Sequence, residues 1–265
     1  MPTLTVNGLP IHFSDTGLGE ETIVFSHGLL FDNHLFDKQI AELSQHYRCV
    51  SYDHPGQGAS GMPPLPFSME DLYSYAAGFI EALNIGPVHF VGLSMGGFIG
   101  MRLAARRPEL IKSLTLLDTS AEDEPNKLKY TLLNTIVRFF GAAPVTGAVM
   151  PIMFSQTFLN DPARREEKAL WTKHMQSLPR NIVHSVNAVI SRRAVADEIP
   201  GISVPTLIAV GLEDVATVPA KAEKIHALIP GSQLKYIKGA GHSSTIEEAG
   251  QINDMIRAFL GKVGQ

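Results

Sequence analysis

The sequence predicts an α/β fold, a mostly parallel sheet with helices on both faces, on three observations. Short runs rich in β-branched and aromatic residues alternate with longer segments whose apolar residues recur three or four apart, the patterns of strands and amphipathic helices. From Thr22 onward the strand runs are apolar throughout, as in strands covered on both faces. The alternation breaks once, from Ala121 to about Pro200, where the pattern is helical only. A chain of 265 residues, 45% hydrophobic and 18% charged, has material for one such core.

Leu4–Val6 and Ile11–Asp15 have no helix between them and read as an antiparallel hairpin at the sheet edge. The turn falls at Asn7-Gly8, a pair that tolerates the positive φ of a tight hairpin. Thr22–Ser26 and Arg48–Tyr52 flank a helical pattern over Leu35–His46. Helix Met69–Leu83 leads to a fifth strand at Val88–Gly92, and helix Met95–Arg106 to a sixth at Ser113–Leu117. Strand Thr206–Val210, helix Ala220–Leu228, strand Leu234–Ile237 and helix Thr245–Leu260 complete a sheet of eight strands. Prolines at 125, 144, 151, 162 and 179 cut the helical segment into pieces. Inserted between strands six and seven, residues 121–200 are expected to form a helical cap, or lid, over the strand ends, where such sheets bind ligands. Residues 1–120 and 201–265 would then form the core domain.

Composition narrows the function. Lys and Arg number 22 against 26 Asp and Glu, a net charge of −4, and the basic residues are scattered apart from pairs such as Arg106-Arg107 and Arg192-Arg193. Nothing in that pattern fits nucleic acid. The amino-terminal residues show no basic stretch followed by an apolar one, and Cys49, the lone cysteine, has no internal disulfide partner, so a cytoplasmic protein is expected. The least charged stretch, Phe139 to Gln156, is broken by prolines and glycines and falls short of the roughly 20 apolar residues of a spanning helix. No membrane association is expected from it. No heptad or exposed apolar stripe stands out, which leaves the oligomeric state open.

Gly92-Leu93-Ser94-Met95-Gly96 carries the chemistry. It matches G-x-S-x-G between an apolar strand and a helix, where a sharp bend strains the serine backbone and only small residues two positions either side leave room. The hydroxyl is then held above the sheet, beside the unpaired N–H groups of a helix amino terminus. A serine needs a base and an orienting acid. Asp214 follows the apolar run Thr206–Val210, and His242, flanked by glycine, follows Leu234–Ile237; both fall at strand carboxyl ends, in the chain order Ser94, Asp214, His242. Glu213 and Asp118 are the competing acids. His89 lies inside a strand and reads as a core residue, while His12, His34, His46, His174, His184 and His226 lack the strand-end setting. The oxyanion donors are expected to be the backbone N–H groups of Met95 and of Leu29, the latter turned toward the serine by Gly28, with His27 bracing that loop.

His27-Gly28, Asp53 to Ser60, Gly92 to Gly97, Val204 to Asp214 and Gly241-His242, in that order, resemble the α/β-hydrolase fold superfamily across nearly the whole chain outside the insertion. Within it, Leu29 to Gln39 looks like the corresponding loop of 3-oxoadipate enol-lactonases and related small esterases, although the Asp-x-Arg-Gly motif is here Asp53-His54-Pro55-Gly56. Haloalkane dehalogenases and epoxide hydrolases of this fold carry an aspartate where this chain has Ser94, so the resemblance implies acyl transfer. The expected activity is cleavage of a small, partly apolar carboxylic ester or lactone through an acyl-enzyme on Ser94, with no metal or organic cofactor required. Leu30, Phe98, Phe139, Phe140, Met150, Met153 and Phe154 are the candidates for an apolar substrate pocket. A slow-turnover ligand receptor of the same fold and a cofactor-free perhydrolase or haloperoxidase are the alternatives.

Overall fold

The computed structural model describes residues 2–263. Eight strands, β1 (Thr3–Val6), β2 (Leu9–Asp15), β3 (Thr22–Ser26), β4 (Arg48–Tyr52), β5 (Val88–Leu93), β6 (Ile111–Leu117), β7 (Thr206–Gly211) and β8 (Gln233–Ile237), form one sheet ordered β1-β2-β4-β3-β5-β6-β7-β8. From β4 to β8 the pairing is parallel; β1 and β2 are the antiparallel edge. Asn7 and Gly8 both take positive φ, +49° and +79°, as the hairpin turn requires.

Side chains alternate across the sheet and so divide the core in two. Val24 and Phe90 point to one layer with Phe79 and Ile80 of α2 (Met69–Leu83), Ile99 of α3 (Met95–Arg106) and Ile225 of α9 (Pro219–Leu228). Phe25 and Val91 point to the other, with Leu43 of α1 (Asp37–Leu43) and Ile256 and Phe259 of α11 (Ala249–Val263). Cys49 of β4 lies in this second layer, its thiol pushed up to about 12 by burial, with the Asp15 charge adding to the effect.

Two predicted helices are each divided. Leu35–His46 becomes a 3-10 turn over Asn33–Phe36 followed by α1. Thr245–Leu260 splits into α10 (Ser244–Glu247) and α11 at Glu248, whose φ and ψ of −132° and 53° are not helical. Glu247, just before that break, is turned inward to accept the amides of Ser155, Gly241 and Ser243.

Between β6 and β7 the chain forms five helices, α4 (Lys127–Phe140), α5 (Thr146–Met153), α6 (Gln156–Asn160), α7 (Arg165–Ser177) and α8 (Ile182–Ile190). The Val195 amide donates to the Ala121 carbonyl at 2.8 Å and joins the two ends of this insertion. The outer face of α4 exposes Leu128, Leu132 and Phe139, with Phe140 beside them, an apolar stripe that the sequence does not announce. No helix among the described residues is long and apolar enough to cross a membrane.

Candidate active site

The run Val88–Leu93 is buried along its whole length, and at its end the chain reverses through Ser94 into α3. Ser94 has φ 51° and ψ −107°, a region L-residues avoid, and is fixed by its own amide to the Leu117 carbonyl (2.9 Å) and by the Thr119 hydroxyl to its carbonyl (2.8 Å). The glycines are steric necessities. A Cβ on Gly92 would lie 2.4 Å from the Gly96 carbonyl, and one on Gly96 would lie 2.0 Å from the Ser26 carbonyl oxygen.

Three strand ends converge above this bend. His242 Nε2 is 2.8 Å from Ser94 Oγ, and His242 Nδ1 is 2.9 Å from Asp214 Oδ2. The carboxylate fixes the tautomer: Nδ1–H donates to Asp214, leaving the Nε2 lone pair to accept the serine proton. The amides of Ala216 (2.8 Å) and Thr217 (2.9 Å) and the Thr217 hydroxyl (2.7 Å) also donate to Asp214. Burial works to raise the Asp214 pKa, but the His242 charge and these hydrogen bonds outweigh it and hold the group ionised below its usual range. For His242 burial works the other way; the Asp214 charge and hydrogen bond overcome it and raise the imidazole above 6.5.

The competing acids point elsewhere. Glu213 accepts the amide and hydroxyl of Thr157 in α6. Asp118 accepts the Gly211 amide at 2.8 Å and contacts the Ser244 hydroxyl, with no hydrogen bond to His242 among the described residues. Burial, reinforced by the Asp214 charge, raises its pKa well above the carboxylate range.

The amides of Met95 and Leu29 have no hydrogen-bond partner among the described residues. His27 braces the Leu29 loop: Nδ1–H donates to the Gly28 carbonyl at 2.7 Å and Nε2 accepts the His54 amide at 3.0 Å. Burial lowers the His27 pKa, which suits this neutral arrangement. Beside Ser94 a cavity of about 150 Å³ opens under the insertion. Its wall is mainly aliphatic and aromatic and includes Leu30, Phe98, Val137, Met153 and Ile182. The chemical capability is that of a serine hydroxyl hydrogen-bonded to an imidazole on the wall of an apolar chamber.

The sequence matches the family model described as the alpha/beta hydrolase fold over residues 21–249. The chain belongs to the α/β-hydrolase fold family. This hydrolase is similar to an enol-lactonase from Burkholderia xenovorans LB400, with 28% identity, 98% of this chain and 100% of that chain covered, and a TM-score of 0.91. An esterase from Thermogutta terrifontis superposes with a TM-score of 0.90 at 27% identity, covering 100% of this chain and 99% of that one. Among sequence relatives, a Pantoea ananatis protein named as a carbamate hydrolase, RutD, is 25% identical over 91% of this chain and 88% of its own length.

Of the pocket residues expected from the sequence, Leu30, Phe98 and Met153 line the cavity of the hydrolase. Met150 and Phe154 do not. They are buried in the layer beneath, where Phe154 stacks on Phe158 with ring centres 4.8 Å apart. Phe139 and Phe140 are 63% and 71% exposed, because α4 turns Tyr130, Leu133, Asn134 and Val137, one helical face, toward the cavity instead. Several side chains of the site have no signal in the sequence. Thr217 lies 3.2 Å from His242 Nδ1, Gln57 Oε1 accepts the Leu30 amide at 3.2 Å, and Glu247 binds the amides on both sides of His242. Arg192 and Glu124 line the cavity as a buried ion pair.

Proposed function

We propose that the protein is a carboxylic-ester or lactone hydrolase acting through an acyl-enzyme on Ser94, and the observation that carries this reading is the unbroken hydrogen-bonded line Ser94, His242, Asp214. As Ser94 Oγ bonds to the substrate carbonyl carbon, its proton passes to His242 Nε2. Negative charge moves to the carbonyl oxygen, where the Leu29 and Met95 amides receive it; each such donor is worth about 3 kcal/mol of barrier. His242 then protonates the departing alkoxide, leaving the acyl group on Ser94. A water molecule, deprotonated by the same nitrogen, attacks the ester and releases the acid. Asp214 keeps the imidazole in the one tautomer that can serve both steps.

The insertion acts in this reading as a cap that closes an apolar chamber over the reacting serine, which favours a small, largely apolar substrate. The relatives named as an enol-lactonase, an esterase and a carbamate hydrolase are consistent with attack on an acyl carbon. A fluorophosphonate probe with intact-mass analysis tests the reading. One adduct on Ser94, many rapid turnovers of short p-nitrophenyl esters and loss of both in Ser94→Ala are expected. A folded protein with no adduct overturns the acyl-enzyme, and a single slow turnover would make it a ligand receptor instead.

A further inference from the structure

The cavity wall contains an ion pair with no part in the acyl-transfer steps. Arg192 is the one arginine or lysine among the described residues lining the cavity, and it is buried. Glu124, buried beside it on the same wall, accepts from Arg192 Nη1 through Oε2 at 2.9 Å. The guanidinium also donates to the carbonyls of Glu122 (3.1 Å) and Val189 (3.0 Å), and the second Glu124 oxygen accepts the Asn126 amide at 2.9 Å. Arg192 lies 4.3 Å over the ring of Phe98, whose amide bonds to the Ser94 carbonyl one turn earlier on α3. The pair therefore borders the chamber close to the reacting serine. The other charges near Arg192 are committed elsewhere. Arg102 pairs with Glu70 (2.8 Å) and binds the Phe98 and Arg193 carbonyls, while Asp123 accepts the Ala194 amide.

A lone buried cation would be costly and would recruit an anionic substrate; paired, it is neutral. A substrate carboxylate entering this chamber would shed its water, meet the Glu124 charge and find the arginine of the wall already paired. We propose that the Glu124–Arg192 pair makes the cavity select uncharged esters or lactones and reject those whose acyl or alcohol part ends in a carboxylate. The substrate class rests on the ester-hydrolase reading; the charge selection rests on the pair alone.

The test compares two p-nitrophenyl esters of the same straight-chain diacid, one with its distal carboxylate free and one with it methylated, over a series of chain lengths. For the native protein kcat/KM favours the methylated compound by about tenfold or more. Glu124→Gln keeps the shape and the acceptor for Asn126 while releasing the guanidinium, so it shifts that ratio toward the free carboxylate by about tenfold. The double variant Glu124→Gln/Arg192→Gln shows no such gain. Because the ratio is taken within one protein, partial loss of folded material cancels. A ratio unchanged within about twofold in Glu124→Gln, or a native protein indifferent to the distal charge, overturns the proposal. Calorimetric affinities of both compounds for Ser94→Ala, with and without Glu124→Gln, read the same selectivity without turnover. The expected affinity ratio with no turnover by the native protein would refute the hydrolase mechanism alone; rapid turnover with an unaltered affinity ratio would refute the charge selection alone.

Discussion

In the proposed mechanism His242 sets the pH dependence. Its neutral form would be the base, and its pKa lies above 6.5 because the Asp214 charge and hydrogen bond outweigh burial. The value of kcat/KM is thus expected to rise with pH through a midpoint above 6.5, measured on an uncharged ester. Asp214→Asn removes the acceptor that selects the tautomer and should lower kcat by about ten-thousandfold. Asp118→Asn is a different matter: that carboxyl bonds to Gly211 and Ser244 and, among the described residues, not to His242, so an amide of the same shape should lower the His242 midpoint by less than Asp214→Asn does. A downward shift as large as that of Asp214→Asn would overturn that ranking of the two acids. The gathering of Ser94, Asp214 and His242 was legible in the sequence because each follows the carboxyl end of a predicted strand and has a glycine within the three residues before it. Thr217, Glu247 and Arg192 were not, since each acts through contacts made only on folding. In the sequence Arg192 is one half of a short basic pair with Arg193, and nothing there marks it as the buried member, 5% exposed.

At the scale of elements, the loop after β3 is held from two sides. Leu30 sits at φ 72°, a conformation costing on the order of 1 to 3 kcal/mol for such a residue, and persists because its neighbours fix it. Gln57 accepts its N–H at 3.2 Å from the core, and His174 Nε2 of α7 lies 2.8 Å from its carbonyl, donating from the insertion. The preceding residue is Leu29, whose amide faces the reaction in the proposed mechanism. His174→Ala is expected to lower kcat about tenfold with KM little changed, and His174→Gln, which keeps a donor, to recover part of the loss. Equal loss in both variants would point to packing of the ring against Phe31 and Trp171 instead. Whereas edge strand β8, QLKYI, leaves Lys235 and Tyr236 exposed, the central strands β3, β5, β6 and β7 were readable because burial on both faces makes them mostly apolar. The breaks before α1 and between α10 and α11 were not, because the apolar spacing runs through them without interruption.

Across the whole molecule, polar ties sew the insertion to the core along the β8 and α10 side. Glu213 binds Thr157, Glu247 binds the Ser155 amide, Arg164 donates to the carbonyls of Ile246 and Glu247, and Lys38 pairs with Glu167. Glu247 is the junction, since the same carboxylate accepts the amides flanking His242. Glu247→Ala strands three buried donors and should cost about 3 kcal/mol or more in urea unfolding while also lowering kcat. The outer stripe of α4 bears on none of these ties, and its exposure could not be foreseen because only the fold decides which face of α4 meets the cavity. The burial of Cys49 has a practical corollary. Its thiol should ignore maleimide in the native state and react only after denaturation, so the molecule starts without a labelling background. A single cysteine placed at Leu132 would then be the sole handle for a fluorophore or spin label, able to report whether the insertion lifts when substrate enters.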